Sequence, residues 1–262
     1  MAALLVSAGA CSAVELKPET VEAFDRYIAA LEARLESQLH ADHFLWFEDS
    51  PELRPRILAG AIVTKPGQDN GVIAIKGGLI QDQMGAVFIP HATLKGTLAV
   101  VQDYNRHPDY YKPDVLAVKI ESRNGGDFLL HTRIVKSKFF LSDVLDIDNE
   151  IHYVIVDAKR VYSRSVSNHV VEISDAGKPH EHTLPEGHDR GLMWRINGYW
   201  SFEEADGGVY VTCRSVTLTR DIPFVMAKLL SPILHELPVE ALRTSLEQTR
   251  KAVAAASELE HP

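Results

Sequence analysis

Two runs of alternating residue type, Gly191 to Ala205 and Gly208 to Pro223, flank Asp206-Gly207. Alternation at period two predicts strands, and Asp-Gly between them predicts a tight turn. Pairing Ala205 with Gly208 sets Phe202 opposite Val211, Trp200 opposite Cys213, Gly198 opposite Ser215 and Ile196 opposite Thr217. One face then carries Trp194, Ile196, Trp200 and Phe202 against small side chains. The other carries Arg195, Asn197, Tyr199 and Glu203, with Arg214. The first face is expected to be buried and the second to stay solvated. Large rings opposite small side chains fill a core unevenly, so a helix or a ligand must complete it.

Upstream, Pro18-Glu19-Thr20 opens a helix to about His40. Val21, Phe24, Ile28, Leu31, Leu35 and Leu39 form a single stripe at three- and four-residue steps. An aromatic cluster, Phe44 to Phe47, follows. Arg56 to Ile75 alternates weakly and is interrupted at Pro66-Gly67, which reads as two short strands. Leu79 to Pro90 reads as a strand, Thr93 as a helix cap, and Leu94 to Tyr104 as a helix broken at Asn105–Asp109. Strands are predicted over Val115–Ser122, Asp127–Lys138, Glu150–Ala158 and Val161–Ser174, with a turn at Asn124-Gly125-Gly126. Asp175 to Asp189 reads as an exposed loop. After Pro223, a short helix from Phe224 to Leu230 is expected to break at Pro232. A long one then starts at Pro238, with Val239, Leu242, Leu246 and Val253 on its inner face.

The chain has 262 residues, 45% of them hydrophobic and 24% charged, which is enough to bury a sizeable globular core. A formal charge of -9 argues against nucleic acid or an anionic membrane surface as the main partner. Cys11 and Cys213 are the two cysteines; their positions argue against a disulfide framework and make Cys213 a small core residue. Residues 1–13 form an apolar run ending in small residues, with Ala8-Gly9-Ala10 and Cys11-Ser12-Ala13 as cleavage-like sites but no positively charged start. This predicts a secreted or periplasmic protein, and a cytoplasmic one if the segment is not a signal. No segment approaches the ~20 apolar residues that span a bilayer.

Candidate chemistry is sparse. His180-Glu181-His182, near His188-Asp189, could hold a metal only in extended chain with an outside ligand, so a solvated loop is the preferred reading. Arg133, Arg164 and Arg195 lie within strands; inward they would anchor a ligand carboxylate or phosphate, outward they would pair with acids such as Glu121, Asp157, Glu172 or Glu203. Arg195 falls on the polar face, while Arg133 and Arg164 stay open. Asp103, Tyr104 and Tyr111 flank the break between short helices and read as structural. The glycines of Gly71–Gly78 lack phosphate-loop spacing. Ser163 to Ser167 is hydroxyl-rich, yet no His is placed by sequence to activate a serine. No metal, cofactor or catalytic set is therefore predicted.

Val87-Phe-Ile-Pro-His-Ala-Thr-Leu94, the passage from Val101-Gln-Asp103-Tyr104 to Tyr110-Tyr111-Lys112-Pro113, and the ending Leu218-Thr-Arg-Asp-Ile-Pro223 resemble the START-like superfamily. That superfamily includes polyketide cyclases, lipid-transfer START domains, coenzyme-Q-binding proteins and the birch pollen allergen. The resemblance covers roughly Gly78 to Val253 and is closest to bacterial members with an N-terminal helix and a leader. It implies an α+β helix-grip fold: a curved antiparallel sheet wrapped on a long C-terminal helix, with a cavity between them for an apolar small molecule. Trp194, Ile196, Trp200, Phe202, Cys213, Ser215, Leu242 and Leu246 would line that cavity, or would pack on one another as core. The expected organisation is a leader at 1–13, a helical extension at 14–77, the ligand-binding domain at 78–254 and a tail at 255–262. The leading expectation is carriage of a lipid, quinone or polyketide-like molecule. The alternatives are a cyclase-like enzyme, or an envelope interaction module that uses the helix Val21–Leu39.

Overall fold

The computed structural model describes residues 14–39, 43–138, 141–185, 188–191, 193–221 and 224–260. The candidate leader, with Cys11, lies outside them. Strand β1 (Val14–Glu15) precedes helix α1 (Pro18–Leu39), helix α2 (Leu53–Leu58) and the short strands β2 (Val63–Pro66) and β3 (Val72–Ile75). Strand β4 (Gly78–Pro90) leads into helices α3 (Leu94–Val101) and α4 (His107–Tyr110). Strands β5 (Val115–Asn124), β6 (Asp127–Lys138), β7 (Leu141–Ile155) and β8 (Arg160–Ser174) follow, then the two-residue strands β9 (His182–Thr183) and β10 (His188–Asp189). Strands β11 (Arg195–Ala205) and β12 (Gly208–Arg220) precede the terminal helix α5 (Phe224–Glu260).

Ten strands form one antiparallel sheet ordered β2-β4-β12-β11-β8-β7-β6-β5, with β3 also on β4 and β9 on β8. The β11–β12 hairpin has the register predicted from its turn, Trp200 against Cys213 and Gly198 against Ser215. Asp206 and Gly207 both hold positive φ, 52° and 76°, the mirror-image turn that matches strand twist. Thr93 caps α3 by accepting from the Gly96 amide at 3.0 Å. Helix α5 lies against β4, β12, α3 and α4 on one side of the sheet. A curved antiparallel sheet gripping a long terminal helix is the START-like helix-grip arrangement.

Several expectations need correction. Helix α5 continues through Pro232 and Pro238; each interior proline costs the helix about 3 kcal/mol, which packing of α5 on β4, β12 and α3 offsets. Strand β7 begins at Leu141 rather than near Glu150. Its acids obscured the pattern, yet Asp146 and Asp148 pair across the ladder with Arg133 and His131. A helix, α2, precedes β2 where only strands were expected. The Asp175–Asp189 interval contributes two short strands and ends in a buried Asp189, 1% exposed.

The largest correction concerns the hairpin's polar face. Asn197 is 2% and Tyr199 3% exposed, because α1 lies across that face. Phe24, Ile28, Leu31 and Leu39 of α1 pack with Ile80, Ala86, Tyr162, Tyr199, Val216 and Leu218 of the sheet. The ion-pairing groups beneath the helix are satisfied within the chain, while Asn197 Oδ1 has no partner among the described residues. Arg214 donates to Asp82, Tyr27 donates to the same carboxylate, and Arg164 and Tyr199 both donate to Glu32. The apolar stripe considered for an outside partner is thus buried in the chain's own core. The sheet carries a helix on each face.

Candidate functional site

On the face toward α5, β11 presents Ile196, Gly198, Trp200 and Phe202 by strict alternation. Across β12 they meet Thr217, Ser215, Cys213 and Val211; across β8, Gly198 meets Ser165, Trp200 meets Ser163 and Phe202 meets Val161. One end of this face is sealed. Phe202, Val161, Val211 and Cys213 are buried with Leu242, Leu246 and Val253 of α5. Close approach is possible because β4 offers Gly85, where an added Cβ would stand 2.6 Å from a Leu246 methyl.

The other end is not sealed. Ile196, Gly198, Trp200, Ser165 and Ser215 are all half-buried. Ser165, Gly198 and Ser215 form one cross-strand row. At Gly198 the missing side chain leaves the Trp200 Nε1 3.6 Å and the Ser165 Cβ 3.8 Å from where a Cβ would sit. Among the described residues, neither serine hydroxyl nor the Trp200 indole N–H has a hydrogen-bond partner. Three polar groups thus share one row around Gly198, with Ser165 and Ser215 as its cross-strand neighbours and the Trp200 ring beside it, stacked on Phe202 at 6.3 Å.

A hydrogen-bonded aromatic cluster adjoins this row. The Tyr104 and Tyr153 hydroxyls are 3.0 Å apart, and Ser163 is the cross-strand partner of both Tyr153 and Trp200. Thr249 of α5 donates to the Ser245 carbonyl at 2.8 Å, so its oxygen accepts from Tyr111 at 3.0 Å. His107 lies between the Tyr104 and Tyr111 rings, at 4.7 and 4.9 Å, and its Nε2–H donates to the Val101 carbonyl. Burial pushes Tyr111 and Tyr153 up to about 12 and Tyr104 higher still. Burial also lowers His107 to about 4 and raises the Cys213 thiol. At neutral pH all five groups are uncharged, so the cluster offers hydrogen bonds rather than charge.

Of the residues expected to line a cavity, Phe202, Cys213, Leu242 and Leu246 come together, with Trp200 at their edge. Ile196 packs instead with Ile134, Leu145, Ile147, Val170 and Met193. Trp194 lies in the other layer, 1% exposed among the α1-facing residues. Its indole N–H donates to buried Asp189 at 3.0 Å, which draws the ring away from the α5 face just before β11 begins. Arg133 and Arg164 point away from α5: Arg133 bridges Asp146 and Glu181, and Arg164 grips Glu32. Neither can anchor a ligand on the α5 side. Glu181 turns toward Arg133, and His182 bonds the His180 carbonyl. Among the described residues no group of three or more His, Cys, Asp or Glu has metal-holding geometry. Sequence reasoning missed Tyr153, Phe128 and the burial of His107; the one signal was the His107-Pro108 helix start beside Tyr104 and Tyr111.

Two clefts open elsewhere. One, of about 760 Å³, lies along Phe47, Arg54, Leu58 and Asp206. The other, of about 330 Å³, lies between α2, β2 and α5. No described helix is long and apolar enough to cross a membrane.

No protein-family model matches the chain, and no curated relative matches it. Among solved structures, a protein from Thermus thermophilus is similar over 66% of this chain and 97% of its own, at 18% identity and a TM-score of 0.46. A STAR-related lipid transfer protein from Xanthomonas axonopodis is similar over 68% and 99%, at 17% identity and 0.41. The Zhui aromatase/cyclase from a Streptomyces species is similar over 70% and 96%, at 12% identity and 0.45. The chain's own strand order and terminal helix make its fold START-like.

Proposed function

We propose that the chain binds an amphipathic small molecule between the sheet and α5, at the end of the grip that apolar contacts leave unsealed. The reading is carried by the Ser165–Gly198–Ser215 row, where two hydroxyls and the Trp200 N–H lack partners among the described residues on a half-buried face. Apolar surface with a few convergent polar groups is the usual form of a small-molecule site. The guest's apolar part would lie on Trp200 and Ile196 and its oxygens would accept from the row, which suits an oxygenated lipid, quinone or polyketide-like molecule.

Ser215→Trp tests this directly by filling the row while keeping the hairpin. Nile red binding should weaken by at least about tenfold, with the circular dichroism melt unchanged. Native mass spectrometry of protein from its own host should show a co-purified small molecule that is absent from the variant. Unaltered Nile red affinity in a folded variant would move the site elsewhere.

A cyclase-like enzyme is the second reading, favoured by the Tyr104–Tyr153 hydrogen bond beside the row, with Ser163 opposite Tyr153. Held protonated, these phenols would donate to an oxygen that gains charge as a guest enolises. Tyr153→Phe should then abolish turnover and leave binding intact.

A further inference from the structure

We propose that the cleft between α2, β2 and α5 is a second site, one that binds a phosphate monoester, free or as a lipid headgroup. This inference is independent of the small-molecule site. The cleft measures about 330 Å³, at the small end of ligand sites. Three elements each contribute one exposed cation to its lining: Arg56 from α2, Lys65 from β2 and Arg243 from α5. Glu52 is the single acid in its lining among the described residues.

Among the described residues, Arg56 and Lys65 make no hydrogen bond or ion pair. The carboxylate that Arg243 influences is Glu247, which is already engaged by Lys251 at 2.7 Å. Three like charges around one cleft repel one another, and among the described residues Glu52 is the one acid in the lining to balance them. This happens in a chain whose overall formal charge is -9. An anion seated between them relieves that repulsion.

The walls are fixed. Leu242 and Leu246 seat α5 on Gly85, whose cross-strand neighbour in β2 is Thr64, itself a lining residue. Arg250 then ties α5 to the turn after α2 by donating to the Gly60 carbonyl at 2.8 Å. Two guanidiniums, an ammonium and the Ser50 and Thr64 hydroxyls supply more donors than a carboxylate's two oxygens can accept. A phosphate has three terminal oxygens and takes arginine forks in pairs. Leu53 and Ile62, also in the lining, would meet the organic part of the ester.

The test titrates the full chain with glycerol 3-phosphate by isothermal calorimetry. In parallel, it is sedimented with phosphatidylcholine vesicles with and without phosphatidic acid. We expect saturable one-site binding of at least one probe that weakens as salt is added. Arg243→Glu and Lys65→Glu, both at exposed positions, should each weaken binding by about tenfold or more. Arg34→Glu, an equal charge change at an exposed position on α1, should change it by less than about twofold. Arg243→Gln, which removes the charge without reversing it, should fall between them. Binding of the soluble ester alone identifies a free ligand, and binding only of phosphatidic acid vesicles identifies a headgroup. Either supports the site if Arg243→Glu abolishes it. No saturable binding of either probe, or an equal loss with Arg34→Glu, overturns it.

Discussion

Arg214→Met tests whether α1 and the sheet form one packed unit. Arg214 extends from β12 beneath α1 and donates from Nε to Asp82 Oδ1 at 2.8 Å and from Nη2 to Oδ2. Tyr27 of α1 donates to the same Oδ2, and the Asp82 side chain is 0% exposed. Methionine keeps much of the stem's apolar volume but donates nothing, which leaves a buried carboxylate without its cation. Removing one partner of a buried pair costs about 3–5 kcal/mol, a large part of a domain's ~5–15 kcal/mol. With a urea slope of ~1–3 kcal/mol/M, the unfolding midpoint should fall by on the order of 1 M or more. Urea titration followed by far-UV circular dichroism reads this. Adding Asp82→Asn removes the orphaned charge and should restore part of the loss, a coupling that independent sites lack. A single-variant loss below about 1 kcal/mol, or a double variant as unstable as the sum of the two, would refute a buried, charge-paired α1 interface.

Gly85→Val places a Cβ 2.6 Å from a Leu246 methyl and 3.2 Å from one of Leu242. Overpacking of this kind costs about 1–3 kcal/mol, and a calorimetric melt should show it; an unchanged melting temperature would mean that α5 does not sit flush on β4. His107 gives a pH dependence. Burial lowers it from its ordinary 6.5 to about 4, so the unfolded chain takes up a proton in a range where the folded one does not. Its contribution is therefore complete above about 6.5 and lost as pH falls toward about 4, by up to roughly 3 kcal/mol. Urea midpoints at pH 7.5 and 4.5 should differ less in His107→Phe than in the parent chain, and equal differences would rule this residue out as the source.

What the sequence revealed was local. The hairpin could be read because alternation and Asp206-Gly207 together fix its register, and register fixes which residues share a face. Alternation cannot say what covers each face. Tyr199 and Asn197 look solvated in sequence, and the stripe Phe24, Ile28, Leu31 looks unpartnered; the structure places each on the other. Charge misled in the same way. Asp146 and Asp148 hide a strand because their partners Arg133 and His131 stand on the neighbouring one. Trp194 follows the alternation, yet Asp189 turns it into the opposite layer. Tyr104, Tyr153 and Ser163 come from a 3-10 turn and two strands, so no spacing in the chain announces their meeting.

The two faces of the sheet are built differently, and the difference bears on what the α5 side can hold. Beneath α1 two carboxylates each take two donors: Asp82 takes Arg214 and Tyr27, and Glu32 takes Arg164 and Tyr199. Beneath α5 the sealed end is apolar, while Ser165, Ser215 and the Trp200 N–H remain unpaired among the described residues. A purely hydrocarbon guest would desolvate those groups and leave them without acceptors, at about 1–3 kcal/mol for each one buried. A guest with two or three oxygens near one end would avoid that cost. On this reading the site selects by the position of oxygen as well as by apolar area, and Ser165→Ala with Ser215→Ala should shift preference toward the plainer hydrocarbon.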